Sequence, residues 1–172
     1  IEDSLRDALA RDELQLLYQP IVDVKSERIS GFEALIRWRR ASAEIVSPSK
    51  FIPIAEESNL IIPIGEWIIR TACATIARLG PDYRVAVNVS PRQFANEKLP
   101  ATILSAVAAA GIEPGQLELE ITEGVFLDES PENLEMFQKL KRTGVRLALD
   151  DFGTGYSALG YLKKAPFDKI KI

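Results

Sequence analysis

Apolar residues recur along this chain at two different spacings, and the switch between them marks the elements. Leu5, Ala8 and Leu9 share one helical face, which predicts a helix over Ile1–Asp12. Two strand-like runs follow, Leu16–Val24 and Ile29–Trp38, joined by the polar turn Lys25-Ser26-Glu27-Arg28. So short a link makes them antiparallel neighbours. Ser47-Pro48 then supplies a helix cap with proline at the first helical position. Ile64, Trp67, Ile68, Thr71, Ala72, Thr75, Ile76 and Leu79 form an amphipathic stripe that Gly80-Pro81 ends.

From there the rhythm is regular. Strands are predicted at Val85–Val89, Gln116–Thr122, Val145–Asp150 and Phe167–Ile172. Ser90-Pro91-Arg92-Gln93 opens a helical region closed by Gly111, Ser130-Pro131 caps one closed by Gly144, and a short helix is expected near Ser157–Lys164. Strands alternating with helices argue for an α/β fold with a mostly parallel sheet.

Within these strands one residue parity is apolar and the other is not. Val85, Val87 and Val89 oppose Ala86 and Asn88; Leu117, Leu119 and Ile121 oppose Glu118, Glu120 and Thr122. Leu147 and Leu149 oppose Ala148 and Asp150, while Ile170 and Ile172 oppose Lys169 and Lys171. In the second strand Phe32, Ala34, Ile36 and Trp38 oppose Glu33, Leu35 and Arg37. Because side chains alternate across a strand, the apolar face suits a helix layer and the other points into a barrel. The last polar residue of each strand then lies at the C-terminal end, where barrel enzymes keep their active sites. From Asn88 the polar positions are spaced by 32, 30 and 21 residues, one βα unit each.

Glu33, Asn88, Glu120, Asp150, Asp151 and Lys171 thus form one candidate site. Like charges at short range raise one another's pKa, and a divalent cation resolves the conflict. Asp150-Asp151 offers ligands in two directions, which suits two ions bridged by a shared carboxylate and the in-line displacement of a phosphoester oxygen. Lys171 suits a role holding water or facing developing charge, and Arg37 can fork onto a phosphate. Glu118 and Lys169 share the inward face but read as structural charges.

Composition narrows the chemistry further. The chain has 172 residues, no histidine and one cysteine, Cys73. That excludes histidine-dependent triads, imidazole-bound zinc and disulfide frameworks, leaving oxygen ligands and thus Mg²⁺, Ca²⁺ or Mn²⁺. A net charge of -4 argues against non-specific nucleic-acid binding. With neither a membrane-length apolar run nor a signal peptide, a cytoplasmic setting is expected, though the parent could be membrane-anchored.

Taken in order, YQPIV (18–22), EALIRW (33–38), FIPIAEESNLI (51–61), GEWIIRTAC (65–73), VAVNVSPRQF (85–94), LELEITEG (117–124), LALDDFGTGYSAL (147–159) and KIKI (169–172) resemble the EAL-domain family of bacterial signalling phosphodiesterases. The resemblance implies a modified TIM (β/α)8 barrel with an antiparallel first strand, of which about six of eight strands lie in this chain. It implies hydrolysis of cyclic di-GMP to linear pGpG with Mg²⁺ or Mn²⁺, two ions in all. Glu33, Asn88, Glu120 and Asp150 would be metal ligands, joined by Asp151 at the second ion, with Lys171 near the attacking water. Gln19, Leu35 and Arg37 would contact the dinucleotide, and Glu123 would brace the loop Asp151–Ser157. That loop and the neighbouring helix would carry a homodimer contact, and a regulatory sensor or GGDEF domain is expected in the parent.

The family domain runs two βα units further. Residues 1–172 are therefore expected to be a single EAL domain, incomplete at its C-terminus and inactive alone. Some family members only bind cyclic di-GMP, but those have eroded acidic motifs, whereas the set here is intact.

Overall fold

The computed structural model describes residues 2–152 and 167–171. Its frame is a sheet in the order β1-β2-β4-β5-β6-β7, with β3 paired to β2 off that path. The strands are β1 (Leu14–Asp23), β2 (Arg28–Arg39), β3 (Ile45–Val46), β4 (Arg84–Val89), β5 (Leu117–Thr122), β6 (Arg146–Asp150) and β7 (Lys169–Ile170). β1 and β2 are antiparallel, as their short turn requires, and every later step along the path is parallel. Among the described residues the path begins at β1 and ends at β7, with no pairing between them. The protein is therefore an α/β fold with a mixed sheet.

Helices α1 (Glu2–Ala8), α2 (Pro48–Glu57), α3 (Ile61–Leu79), α4 (Pro91–Phe94), α5 (Leu99–Ala110), α6 (Glu123–Phe126) and α7 (Pro131–Arg142), with a 3₁₀ turn at Pro114–Gln116 that holds the expected first strand residue Gln116, complete the described fold. Several boundaries depart from the sequence expectations. The first helix stops at Ala8: Asp12 takes φ 53° and Glu13 N–H donates back to the Ala8 carbonyl (3.0 Å), while the Glu13 carboxylate accepts from the Trp38 indole (2.9 Å). The stretch from Ser47 to Gly80 is two helices, separated where Asn59 takes φ 61°. The region after Ser90 also divides: the capping box opens only the four-residue α4, and α5 begins at Leu99. The two-residue β3 and the short α6 carried no periodic signal. The expected helix near Ser157–Lys164 lies outside the described residues.

Strand parity is realised in β4, β5 and β6, whereas Ile170 of β7, expected on the packed face, is 43% exposed. Val85, Val87, Val89, Leu117, Leu119, Ile121 and Leu147 all belong to the buried core. α3 supplies the facing layer through Ile64, Ile68, Ile69, Ala72, Cys73 and Ile76. Burial there pushes the Cys73 thiol up to about 11, which makes it a packing residue, not a nucleophile. At one end Trp38 meets Phe51 edge-on at 5.7 Å. At the other, Phe126, Phe137 and Phe167 meet at 5.1 to 6.3 Å. Such pairs add about 1 kcal/mol each beyond area burial. The second cluster anchors the short β7, and Asp168 adds a lock by accepting from Leu147 N–H (2.8 Å) and Lys141 Nζ (3.1 Å).

Close packing sets the β2–β4 register. Gly31 pairs with Arg84, and a Cβ on Gly31 would stand 2.5 Å from the Arg84 carbonyl oxygen. Gly31→Ala is expected to cost about 1–3 kcal/mol in urea denaturation of the full-length protein. Gly115→Ala, where a Cβ meets nothing within 4 Å, should be near neutral.

Burial alone would raise the Asp168 carboxyl, but the Leu147 N–H and Lys141 outweigh it and hold it below its ordinary value. A carboxylate depressed in the folded state adds stability above its unfolded pKa and loses it as pH falls through the folded one. Asp168→Asn should therefore lower the urea midpoint at pH 7, with the gap closing as pH falls below about 4. An unchanging gap would assign the effect to geometry alone.

Candidate active site

Parallel register brings the predicted site residues together. Asn88 on β4 stands beside Glu120 on β5, and Thr122 beside Asp150 on β6. Asn88 Nδ2 donates to Glu33 Oε1 at 3.1 Å, joining β2 to β4 across the same face. Just past β7 the Lys171 ammonium reaches Glu120 Oε2 at 2.7 Å, Glu33 Oε2 at 3.2 Å and Asp150 Oδ1 at 3.9 Å. Its backbone is fixed on both sides: Lys171 N–H donates to the Leu149 carbonyl (2.8 Å), and its carbonyl accepts from Phe152 N–H (3.1 Å). Glu33, Asn88, Glu120, Asp150 and Lys171 thus lie in one cluster at the C-terminal end of the parallel strands.

Three carboxylates face one ammonium there, a formal surplus of two negative charges. Desolvation raises the Glu120 carboxyl above its ordinary value, and the charges of Glu33 and Asp150 add to it, against the pull of Lys171. Burial draws the Lys171 ammonium down, but its bond to Glu120 and the charges of Glu120 and Glu33 outweigh this and hold it above the usual lysine range. Among the described residues no group of three or more carboxylate or thiol side chains stands close enough together to hold a metal ion. Lys171 takes the central place instead. The donors nonetheless suit a hard divalent cation. All are oxygens, the cluster is anionic in excess, and Glu120 Oε1 is buried without a hydrogen-bond partner. An orphaned carboxylate oxygen is costly unless something else satisfies it.

The other predicted residues lie around this centre. Asp151 has φ 55° and donates its N–H to Asp150 Oδ1 at 3.0 Å, so it leaves the strand at a sharp turn. Gln19 pairs in register with Glu33, and Leu35 with Leu17, on the same face of the β1–β2 ladder. Arg37 Nη1 donates to the Ile36 carbonyl at 2.8 Å. Glu123 opens α6, is buried, and leaves its Oε1 without a partner. The loop it was expected to brace lies, from Gly153 on, outside the described residues.

One rung below, Glu118 accepts from Lys169 Nζ (3.2 Å) and Arg146 Nε (3.4 Å), so two cations surround one carboxylate. Arg146 escaped the sequence reading although parity carries it: it shares a face with Ala148 and Asp150, and starting the strand at Val145 did not bring it into view.

The whole of residues 2–172 matches the EAL domain model. The chain belongs to the EAL domain family. An uncharacterized protein of Sinorhizobium fredii is 47% identical to this EAL domain over 98% of the chain and 20% of its own length. The bifunctional diguanylate cyclase/cyclic di-GMP phosphodiesterase MucR of Pseudomonas aeruginosa is 39% identical over 98% of the chain and 25% of its own length. The solved PaMucR phosphodiesterase in complex with c-di-GMP superposes with a TM-score of 0.92 at 38% identity, covering 99% of the chain and 70% of that structure. The chain thus spans about a fifth to a quarter of these two curated relatives.

The cluster generates a contrast between its two lysines. Removing Lys171 leaves buried Glu120 facing two like charges, whereas removing Lys169 leaves Glu118 with Arg146. In chelator, Lys171→Ala is expected to cost the EAL domain about 3 kcal/mol. Lys169→Ala should cost about 1 kcal/mol. Urea midpoints of the full-length variants check the order, and equal losses would refute it.

Proposed function

We propose that the parent domain hydrolyses cyclic di-GMP to linear pGpG in a metal-dependent reaction of bacterial second-messenger signalling. One observation carries this reading: an acidic cluster with an unsatisfied buried oxygen, at the C-terminal end of the sheet of an EAL domain. The likeness to a phosphodiesterase bound to c-di-GMP supports it. On this reading the sheet is six strands of a modified eight-stranded barrel, and residues 1–172 belong to one domain of a larger protein.

Glu33, Asn88, Glu120, Asp150 and Asp151 would hold Mg²⁺ or Mn²⁺, two ions in all. Bound there, the ions would polarise the phosphodiester and make water at the site more acidic. The chain's own residues do the rest. Asn88 holds Glu33 by its amide, keeping that carboxylate aimed at the centre. The Lys171 ammonium orients water and faces the charge that builds on phosphorus oxygens as the P–O bond lengthens. Water adds across one phosphodiester, and its proton ends on the departing sugar oxygen. Arg37 forks onto a phosphate, while Gln19 and Leu35 seat the dinucleotide on the β1–β2 face. Glu123 would brace the loop Asp151–Ser157, which lies from Gly153 on outside the described residues, and that loop with the neighbouring helix would form a homodimer contact. A sensor or GGDEF domain in the parent would regulate turnover.

The test is conversion of cyclic di-GMP by the full-length protein with Mg²⁺ or Mn²⁺. Glu33→Ala is expected to lower kcat about 100-fold or more. Tight binding with no linear product in either metal would instead establish a receptor.

A further inference from the structure

We propose that Lys171 is an internal counter-ion that competes with divalent cations for the Glu33–Glu120–Asp150 cluster, so that a metal enters only as the ammonium withdraws. The inference rests on reading this cluster as the cation centre. The lysine draws on the same oxygens a cation needs, at 2.7 Å from Glu120 Oε2 and 3.2 Å from Glu33 Oε2. A hard ion coordinates at about 2.0–2.6 Å, and its double charge repels an ammonium held among its own ligands. The lysine satisfies the cluster only in part. Glu120, 1% exposed, still has one oxygen without a partner, and two negative charges remain in surplus. A single monovalent group thus holds a place that suits more charge.

The Lys171 backbone is tied to Leu149 and Phe152, so the main chain stays while the four-carbon stem turns and the carboxylates around it draw together. The side chain is 27% exposed, which leaves it a route outward. Metal-free protein is then kept from internal repulsion by its own lysine, and apparent metal affinity is the intrinsic affinity multiplied by the fraction of molecules in which that lysine is withdrawn.

Mn²⁺ titration of the full-length protein, read by the electron paramagnetic resonance of the free ion at 0.15 M salt, tests this. Lys171→Met and Lys171→Gln should bind Mn²⁺ about tenfold more tightly than wild type. Lys169→Met removes an equal charge two residues away, outside the cluster, and should shift affinity less than about threefold because salt screens it. Affinity at Lys171 variants equal to or weaker than wild type overturns the proposal, as does an equal gain in Lys169→Met. Absence of saturable Mn²⁺ binding in every protein removes the cation-centre reading as well. If the Lys171 variants do not fold, wild type still decides. Acetic anhydride should modify Lys171 faster with Mn²⁺ than without, relative to Lys169, by mass spectrometry. An unchanged or slower rate overturns the displacement.

Discussion

The alternation of side chains along five laterally paired strands is the constraint on which everything else rests. Sliding any one strand by a single residue would turn its apolar set outward and bury its charges. Here the register is held by particular contacts. Gly31 lets β2 approach Arg84 closely, β4 matches Asn88 to Glu120, and β6 matches Asp150 to Thr122. The face that packs on α3 can then be largely apolar, and the opposite face can carry Glu33, Asn88, Glu120 and Asp150. Core and candidate site are two sides of one pairing pattern.

That pattern also separates charge along the interior. Successive inward positions on β5, Glu118 and Glu120, sit about 7 Å apart. The lower is outnumbered by cations, with Arg146 and Lys169 against one carboxylate. The upper lies in a cluster with anions in excess. Apolar helix packing on the far side supplies no counter-charge, so the inward residues must balance one another. The result is a polarised interior, positive below and negative at the C-terminal end, where a cation is most strongly drawn.

Much of this was legible in the sequence because it depends on short-range rules. Parity in VAVNV and LELEIT identified the inward residues without reference to neighbours, and the four-residue turn after Val24 dictated an antiparallel first pair. Elements set by tertiary contacts were less legible. Nothing local announces that Glu13 bonds the Trp38 indole, or that Ile45 and Val46 pair with Arg39 and Trp38. The candidate site divides the same way. Its members were visible one strand at a time, but their balance was not. A cluster of carboxylates reads as a demand for metal, whereas the fold meets that demand first with Lys171, a residue far away in sequence.

That distance has a consequence for how the protein forms. Lys171 contacts Glu33 across 138 positions, and Phe167 and Asp168, which seat its strand, are close to it in the chain. Contacts of such long range carry a high loop-closure cost and form late. During synthesis, Glu33, Glu120 and Asp150 have all left the ribosome before their lysine does. Until it arrives the three carboxylates have no ammonium beside them, and only water or a bound cation offsets their charge. The counter-charge of the three carboxylates thus arrives just past β7, after all of them have been made.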